Sequence, residues 1–306
     1  DSGTAPAHHQ EQEEGFEYAM MMILKSGSGL LLSGLLAMIF VGSLYIWKND
    51  KERDNPETIQ KRFISMAFCC IISPIHVIMF IHFQEKEEVD YLTWLGLSPI
   101  GLPAAVILPL ALTATLFLGP LVDIFWLDKS SHLESPLAIF TALTTDLRKM
   151  RNYVVAPFAE ELVYRACILS VLVYSGWSLT LASVIAPLMF GIAHLHHFRH
   201  LTRHAGYDRE RSMRIVCFQA GYTTLFGIYA SFLFLRTGHF VAPFLSHAFC
   251  NYMGLPELHR LNSSKDKNIL IVAYLAGIIG FFALLMPLTN PEWYNPYIWN
   301  FVPSET

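Results

Sequence analysis

The chain has 306 residues, of which 53% are apolar and only 15% are Asp, Glu, Lys or Arg, against roughly 25% charged in soluble domains. Its mean hydropathy of +0.40 and its 22 Phe against 18 Gly exclude a disordered chain, a disulfide-stapled secreted domain and an ordinary soluble enzyme. A net charge of −4 offers no basic excess for nucleic acid, and the cysteines (Cys69, Cys70, Cys167, Cys217, Cys250) are odd in number and lack C-x-x-C spacing. What remains is an all-α, polytopic integral membrane protein.

In chain order, the opening stretch DSGTAPAHHQEQEEG has no apolar period and predicts a disordered tail, taken as residues 1–26. A membrane-crossing helix needs about 20 apolar residues. Eight runs meet or approach that length: 27–47, 63–83, 102–126, 153–174, 179–196, 215–236, 239–255 and 269–288. They predict about eight transmembrane helices in one domain, 27–291, followed by a tail, 292–306. The fifth run is short and contains Pro187, and the fourth and seventh carry polar groups at membrane depth. Between the third and fourth, ESPLAIFTALTTDLRKM (134–150) is amphipathic and predicts a surface helix.

Basic residues orient these spans, because cytoplasmic connections concentrate Lys and Arg. The connection after span one holds Lys48, Lys51, Arg53, Lys61 and Arg62, and the one after span three holds Lys129, Arg148, Lys149 and Arg151. Arg199, Arg203, Arg209, Arg211 and Arg214 follow span five, and Arg260, Lys265 and Lys267 follow span seven. The opposite side has only Lys25, Lys86 and Arg236. Even-numbered spans are therefore expected to begin at the cytosol, with both termini facing away from it. The sequon Asn262-Ser263-Ser264 then falls on the cytosolic side.

Span four, YVVAPFAEELVYRACILSVLVY, contains Glu160, Glu161 and Arg165. A charge at mid-bilayer costs roughly 2.5–3.5 kcal/mol even on the lenient insertion scale, so such a cluster marks function. Glu161 and Arg165 are four apart and can pair, while Glu160 lies about 100° round the helix and needs another partner. The bland alternative is one packing network joining all three. Span five ends MFGIAHLHH, with Phe190 and His194 four apart, whereas His196 and His197 read as interfacial side chains. Span seven, FVAPFLSHAFCNYMG, carries His247 and Asn251 four apart, which alone could be a helix-to-helix hydrogen bond. The topology puts all three sets in the cytosolic half of the membrane. A carboxylate with a histidine can activate water, and a second histidine with an amide can stabilise an oxyanion. That set fits hydrolysis of an amide or ester. No H-E-x-x-H or G-x-S-x-G is present.

The E-E-x-x-x-R of Glu160, Glu161 and Arg165, the F-x-x-x-H of Phe190 and His194, and the H-x-x-x-N of His247 and Asn251 resemble, in order, the motifs of the CAAX proteases and bacteriocin-processing enzymes. The stretches VGSLYIWK (41–48), LFLGPL (116–121), GIAHLHH (191–197), LFLRTGH (233–239) and HAFCNYMG (247–254) narrow the resemblance to the Ras-converting, type II CAAX prenyl endopeptidases, over about 41–291. The resemblance implies a protease of the endoplasmic-reticulum membrane with its active site facing the cytosol. It would remove the last three residues of farnesylated or geranylgeranylated CAAX proteins such as Ras and related small GTPases. It further implies Glu160 as general base assisted by His194, His247 and Asn251 as the oxyanion site, and Glu161 and Arg165 as supports for Glu160. No cofactor is implied. Two rival readings stand beside it: a zinc hydrolase ligated by Glu160, His194 and His247, with Asn251 a poor ligand, and a non-enzymatic membrane scaffold or transporter.

Overall fold

The structure, a computed structural model, describes residues 5–47, 51–84, 89–127, 136–196, 198, 201–202, 206–256, 258 and 264–294. His197, Asn262 and Ser263 of the sequon, and the tail beyond 294 lie outside the described residues. Every regular element among the described residues is helical. We number the principal helices α1 (Ala5–Ser43), α2 (Pro56–His82), α3 (Leu102–Leu116), α4 (Leu118–Val122), α5 (Pro136–Thr145), α6 (147–174), α7 (Leu179–Ala193), α8 (Arg209–Thr237), α9 (Val241–Met253) and α10 (Lys267–Leu288).

Their ends follow local chemistry. Asn55 accepts from the Glu57 amide to open α2, with Pro56 in the first turn. Asp146, Ser178 and Asp208 cap α6, α7 and α8 through their side chains, each satisfying an amide that has no partner within the helix. Gly238 closes α8 at φ 65°, a left-handed turn that a Cβ would penalise.

The number of spans differs from expectation. Among the described residues, four helices are long and apolar enough to cross a membrane: Gly15–Ser43, Pro56–His82, Arg209–Thr237 and Lys267–Leu288. A fifth span is formed only if Leu102–Leu116 and Leu118–Trp126 count together, and they meet at an 80° bend. The remaining three expected spans are helical but do not qualify. The α6 run is charged and alternates between α and π turns, α7 has 15 residues and α9 has 13. Of the three, α6 is enclosed by protein over most of its length, whereas α7 keeps an outward apolar face of Leu181, Val184, Leu188 and Ile192. The expected disordered tail also differs. Helix α1 begins at Ala5, so the boundary at residue 26 falls inside it, and the first span extends back to Gly15. The Glu, Gln, Ala and Met of this stretch are good helix formers, which outweighs its lack of an apolar period. Residues 136–150 are helical, as the amphipathic pattern predicted.

Helix α6 is the axis of the bundle. Val163, Tyr164, Ala166, Cys167, Ile168, Leu169, Val171 and Leu172 are all fully buried, which is the pattern of a helix enclosed on every side. Leu36 and Phe40 of α1, Met66 and Cys69 of α2, and Ala182, Ala186 and Phe190 of α7 pack in the same core. By contrast, only 22–33% of the apolar window of each long span is buried, so those helices turn most of their surface outward to lipid. Charges on α6 are tolerated because the outer helices stand between them and hydrocarbon.

Candidate active site

The two glutamates sit on the α turn Ala156–Glu161 of α6, between the π turns Arg151–Val155 and Leu162–Leu169. Pro157 opens this turn without an N–H to donate, and π turns of this kind are rare outside functional sites. Neighbouring side chains on a helix diverge by about 100°, and the two carboxylates accordingly meet different partners.

Glu161 is completely buried, as is Arg165. Glu161 Oε2 lies 3.1 Å from Arg165 Nε, and Oε1 accepts from Arg165 Nη1 at 3.2 Å. The expected i, i+4 pair therefore forms. The same Oε1 also accepts from His247 Nδ1 at 2.7 Å, so one carboxylate holds a guanidinium and an imidazole at once. Such sharing satisfies groups that would be costly to bury alone. The Arg165 guanidinium also lies 4.9 Å from the centroid of the Phe190 ring, a cation–π contact.

Glu160 points the other way. Its Oε2 is 3.8 Å from His247 Nε2, too long for a direct hydrogen bond, and its side chain retains 19% exposure. It opens on a cleft of about 630 Å³, counted to the open mouth, that His194, Tyr164, Phe190, Arg151 and Asn152 also line. His194 follows the last turn of α7, and its Nδ1 donates to the Phe190 carbonyl at 2.8 Å. A carbonyl can only accept, so Nδ1 carries the proton and the neutral ring keeps its lone pair on Nε2. Phe190 thus holds His194 by its backbone, touches the His194 ring at 4.7 Å and covers Arg165 with its own ring.

His247 and Asn251 project from α9. The imidazole packs 4.7 Å from Phe226 and 6.4 Å from Phe190. Asn251 is exposed, and its Nδ2 donates to the Asn152 carbonyl at 2.9 Å, tying α9 to the first π turn of α6. Neither residue is among those lining the cleft. Glu161 bonds to His247 and pairs with Arg165. Asn251 has one amide hydrogen engaged with the backbone and a second left to donate. Among the described residues, no group of three His, Cys, Asp or Glu side chains is placed to hold a metal ion.

Several cleft residues escaped the sequence reading. Tyr164 is fully buried, its ring meets Phe190 at 4.9 Å, and its hydroxyl has no hydrogen-bond partner among the described residues. The available signal was its spacing, four residues after Glu160. Arg53, Arg62 and Arg151 also line the cleft, although the sequence presented them only as part of a cytosolic charge bias.

Buried ionisable groups on converging helices, beside a cleft within an apolar bundle, define a multi-pass membrane protein with an internal polar site. A family model described as "Type II CAAX prenyl endopeptidase Rce1-like" matches residues 146–253, the segment that carries all three motifs. The chain is 38% identical to human "CAAX prenyl protease 2" over 85% of its own length and 80% of that protein. It is 36% identical to the Arabidopsis thaliana protein of the same name, over 78% and 81%. The match to "Probable CAAX prenyl protease 2" of Schizosaccharomyces pombe is 31%, over 82% and 90%. No solved structure matches the chain. The chain belongs to the type II CAAX prenyl endopeptidase family, and it is a membrane protease that acts on CAAX proteins.

Proposed function

We propose that the protease cleaves on the carboxyl side of the prenylated cysteine and releases the last three residues, with water as nucleophile and Glu160 as its general base. The observation that carries this reading is the placement of Glu160 and His194 in one cleft, with His247 beside Glu160 and held from behind by Glu161. Glu160 takes one proton from the water, while the Nε2 lone pair of His194 accepts a hydrogen bond from the water's other hydrogen and orients it for attack. A water hydrogen-bonded to both can bridge Glu160 Oε2 and His247 Nε2, which are 3.8 Å apart. A doubly protonated His247 donates from Nδ1 to Glu161 and from Nε2, and that Nε2–H with the second Asn251 hydrogen can serve the developing oxyanion, while the proton Glu160 has taken from water passes to the leaving amine as the C–N bond breaks. Glu161 and Arg165 act through His247, which they hold in one orientation.

Farnesylated or geranylgeranylated Ras-type GTPases are the proposed substrates. The endoplasmic reticulum, with the site on its cytosolic side, is the proposed location, supported by the segregation of Lys and Arg in the sequence. We propose no cofactor. The test is cleavage of a synthetic farnesylated CAAX peptide by the full chain in vesicles, followed by mass spectrometry of the released fragment. An intact tripeptide is expected. Glu160→Gln keeps shape and hydrogen bonding but cannot take a proton, and general-base catalysis contributes about 10²–10⁴-fold. Its turnover is therefore expected to fall by about that factor with membrane insertion unchanged. More than a few per cent of parental activity would refute the assignment.

A further inference from the structure

Three guanidiniums reach the cleft that holds Glu160 and His194: Arg53 from the loop before α2, Arg62 from the second turn of that helix, and Arg151 from the first π turn of α6. They are not equivalent. Arg151 is buried and already paired, with Nη1 donating to Asp54 at 2.9 Å and to the Arg53 carbonyl at 3.3 Å, and Nε donating to Asn152 Oδ1 at 2.9 Å. Among the described residues, the side chains of Arg53 and Arg62 have no hydrogen-bond or ion-pair partner. Although Arg53 as a residue is exposed, desolvation around its guanidinium and then repulsion from Arg151 and Arg62 lower its pKa, and the carboxylates of Asp54 and then Glu160 offset part of this. Like charges crowded in this way are relieved by an arriving anion. Phe40, Val41, Leu44 and Met66 give the same cleft apolar lining.

An apolar lining with basic groups fits a short aliphatic peptide ending in a negative charge. We propose that Arg53 and Arg62, braced by Arg151, bind the free C-terminal carboxylate of the substrate, so that the cleft measures the cleavage site from the end of the chain. This rests on the CAAX endopeptidase reading. The guanidinium fork matches a carboxylate in a way that a lysine does not. Three extended residues span about 10 Å, the length such an anchor must set between the carboxylate and the attacking water. The apolar lining would take the two aliphatic side chains lying between them. Every such substrate shares two features, the prenylated cysteine on one side of the scissile bond and the carboxylate at the end, and the carboxylate is the fixed point on the released side.

The experiment compares two farnesylated peptides of identical sequence, one ending in a free acid and one in a carboxamide, with the full-length enzyme in vesicles. The acid is expected to be cleaved with a kcat/KM about tenfold or more above the amide, the factor that about 1.4 kcal/mol produces. Arg62→Gln, and Arg53→Gln with it, should bring that ratio close to one, while Arg62→Lys should keep part of it. Lys61→Gln, one residue away but outside the cleft, should keep the parental ratio. Equal cleavage of acid and amide by the parent would overturn the subsite, whatever the variants do. A parental ratio retained in both glutamine variants would overturn it as well. A variant that cleaves neither peptide assigns its arginine to the fold instead. If the Arg variants lose both peptides equally, and only in anionic vesicles, the cluster holds a lipid phosphate and the proposal is wrong. Cleavage of neither peptide by the parent would refute the endopeptidase reading itself.

Discussion

Glu161 is the residue on which the site's geometry turns. Its carboxylate binds Arg165 and His247 together in a fully buried position, and removing one member of such a set leaves a buried charge without its counter-ion. Glu161→Gln is expected to lower stability by roughly 3–5 kcal/mol, read as a fall in thermal midpoint in detergent. The double variant Glu161→Gln with Arg165→Met should recover part of that loss, because the stranded guanidinium is gone. A second prediction separates water activation from metal ligation. Asn251→Ala should reduce turnover by roughly 10²–10³ with peptide affinity nearly unchanged, and His194→Ala should be at least as severe. Zinc at one per chain in the parent, lost in His194→Ala and His247→Ala but kept in Asn251→Ala, would instead establish the metal scheme. At this scale much of the site was legible. Spacings of four residues named the Glu161–Arg165 pair and the placement of His194 by Phe190. The bond from Glu161 to His247 was not legible, because it joins residues 86 apart in the chain, and periodicity within a helix says nothing about the rotation of one helix against another.

Among the elements, α7 and α8 show how that rotation is set. Gly227 of α8 lies against α7 so closely that an added Cβ would fall 2.8 Å from Pro187 Cβ and 3.0 Å from Arg165 Nη2. Gly191 of α7 faces Thr224 of α8 in the same way. Small residues let these helices approach, and the approach brings α8 up to the Arg165 side chain. Gly227→Ala is expected to destabilise by about 1–3 kcal/mol and to reduce turnover through a shifted Arg165. A circular-dichroism melt with a peptide assay on the same preparation checks both. Neither glycine stood out in the sequence, since a close approach depends on what lies opposite. The helices themselves were read largely correctly from apolar runs, but the distinction between lipid-facing and protein-enclosed helices was not. A run such as 153–174 looks much the same in composition whether a lipid chain or another helix covers it.

For the whole molecule, the segregation of basic residues leads to a topological prediction. Asn262 lies in a connection that the Lys and Arg distribution assigns to the cytosol, so it should carry no glycan when the chain is expressed in a eukaryotic cell. An endoglycosidase-sensitive mobility shift abolished by Asn262→Gln would invert the orientation. The shortness of the helices around the site has a consequence of another kind. At 1.5 Å per residue, the 15 residues of α3 and of α7 and the 13 of α9 measure roughly 20–22 Å, well short of the ~30 Å hydrocarbon core of an average bilayer. Where such elements border lipid, hydrophobic mismatch draws the two leaflets together around them. A bilayer thinned in this way next to the cleft would reduce the depth from which a prenyl tail must be lifted to meet water. Membrane thickness becomes a parameter of this enzyme, and a membrane of the endoplasmic reticulum's slender kind asks the least deformation of it.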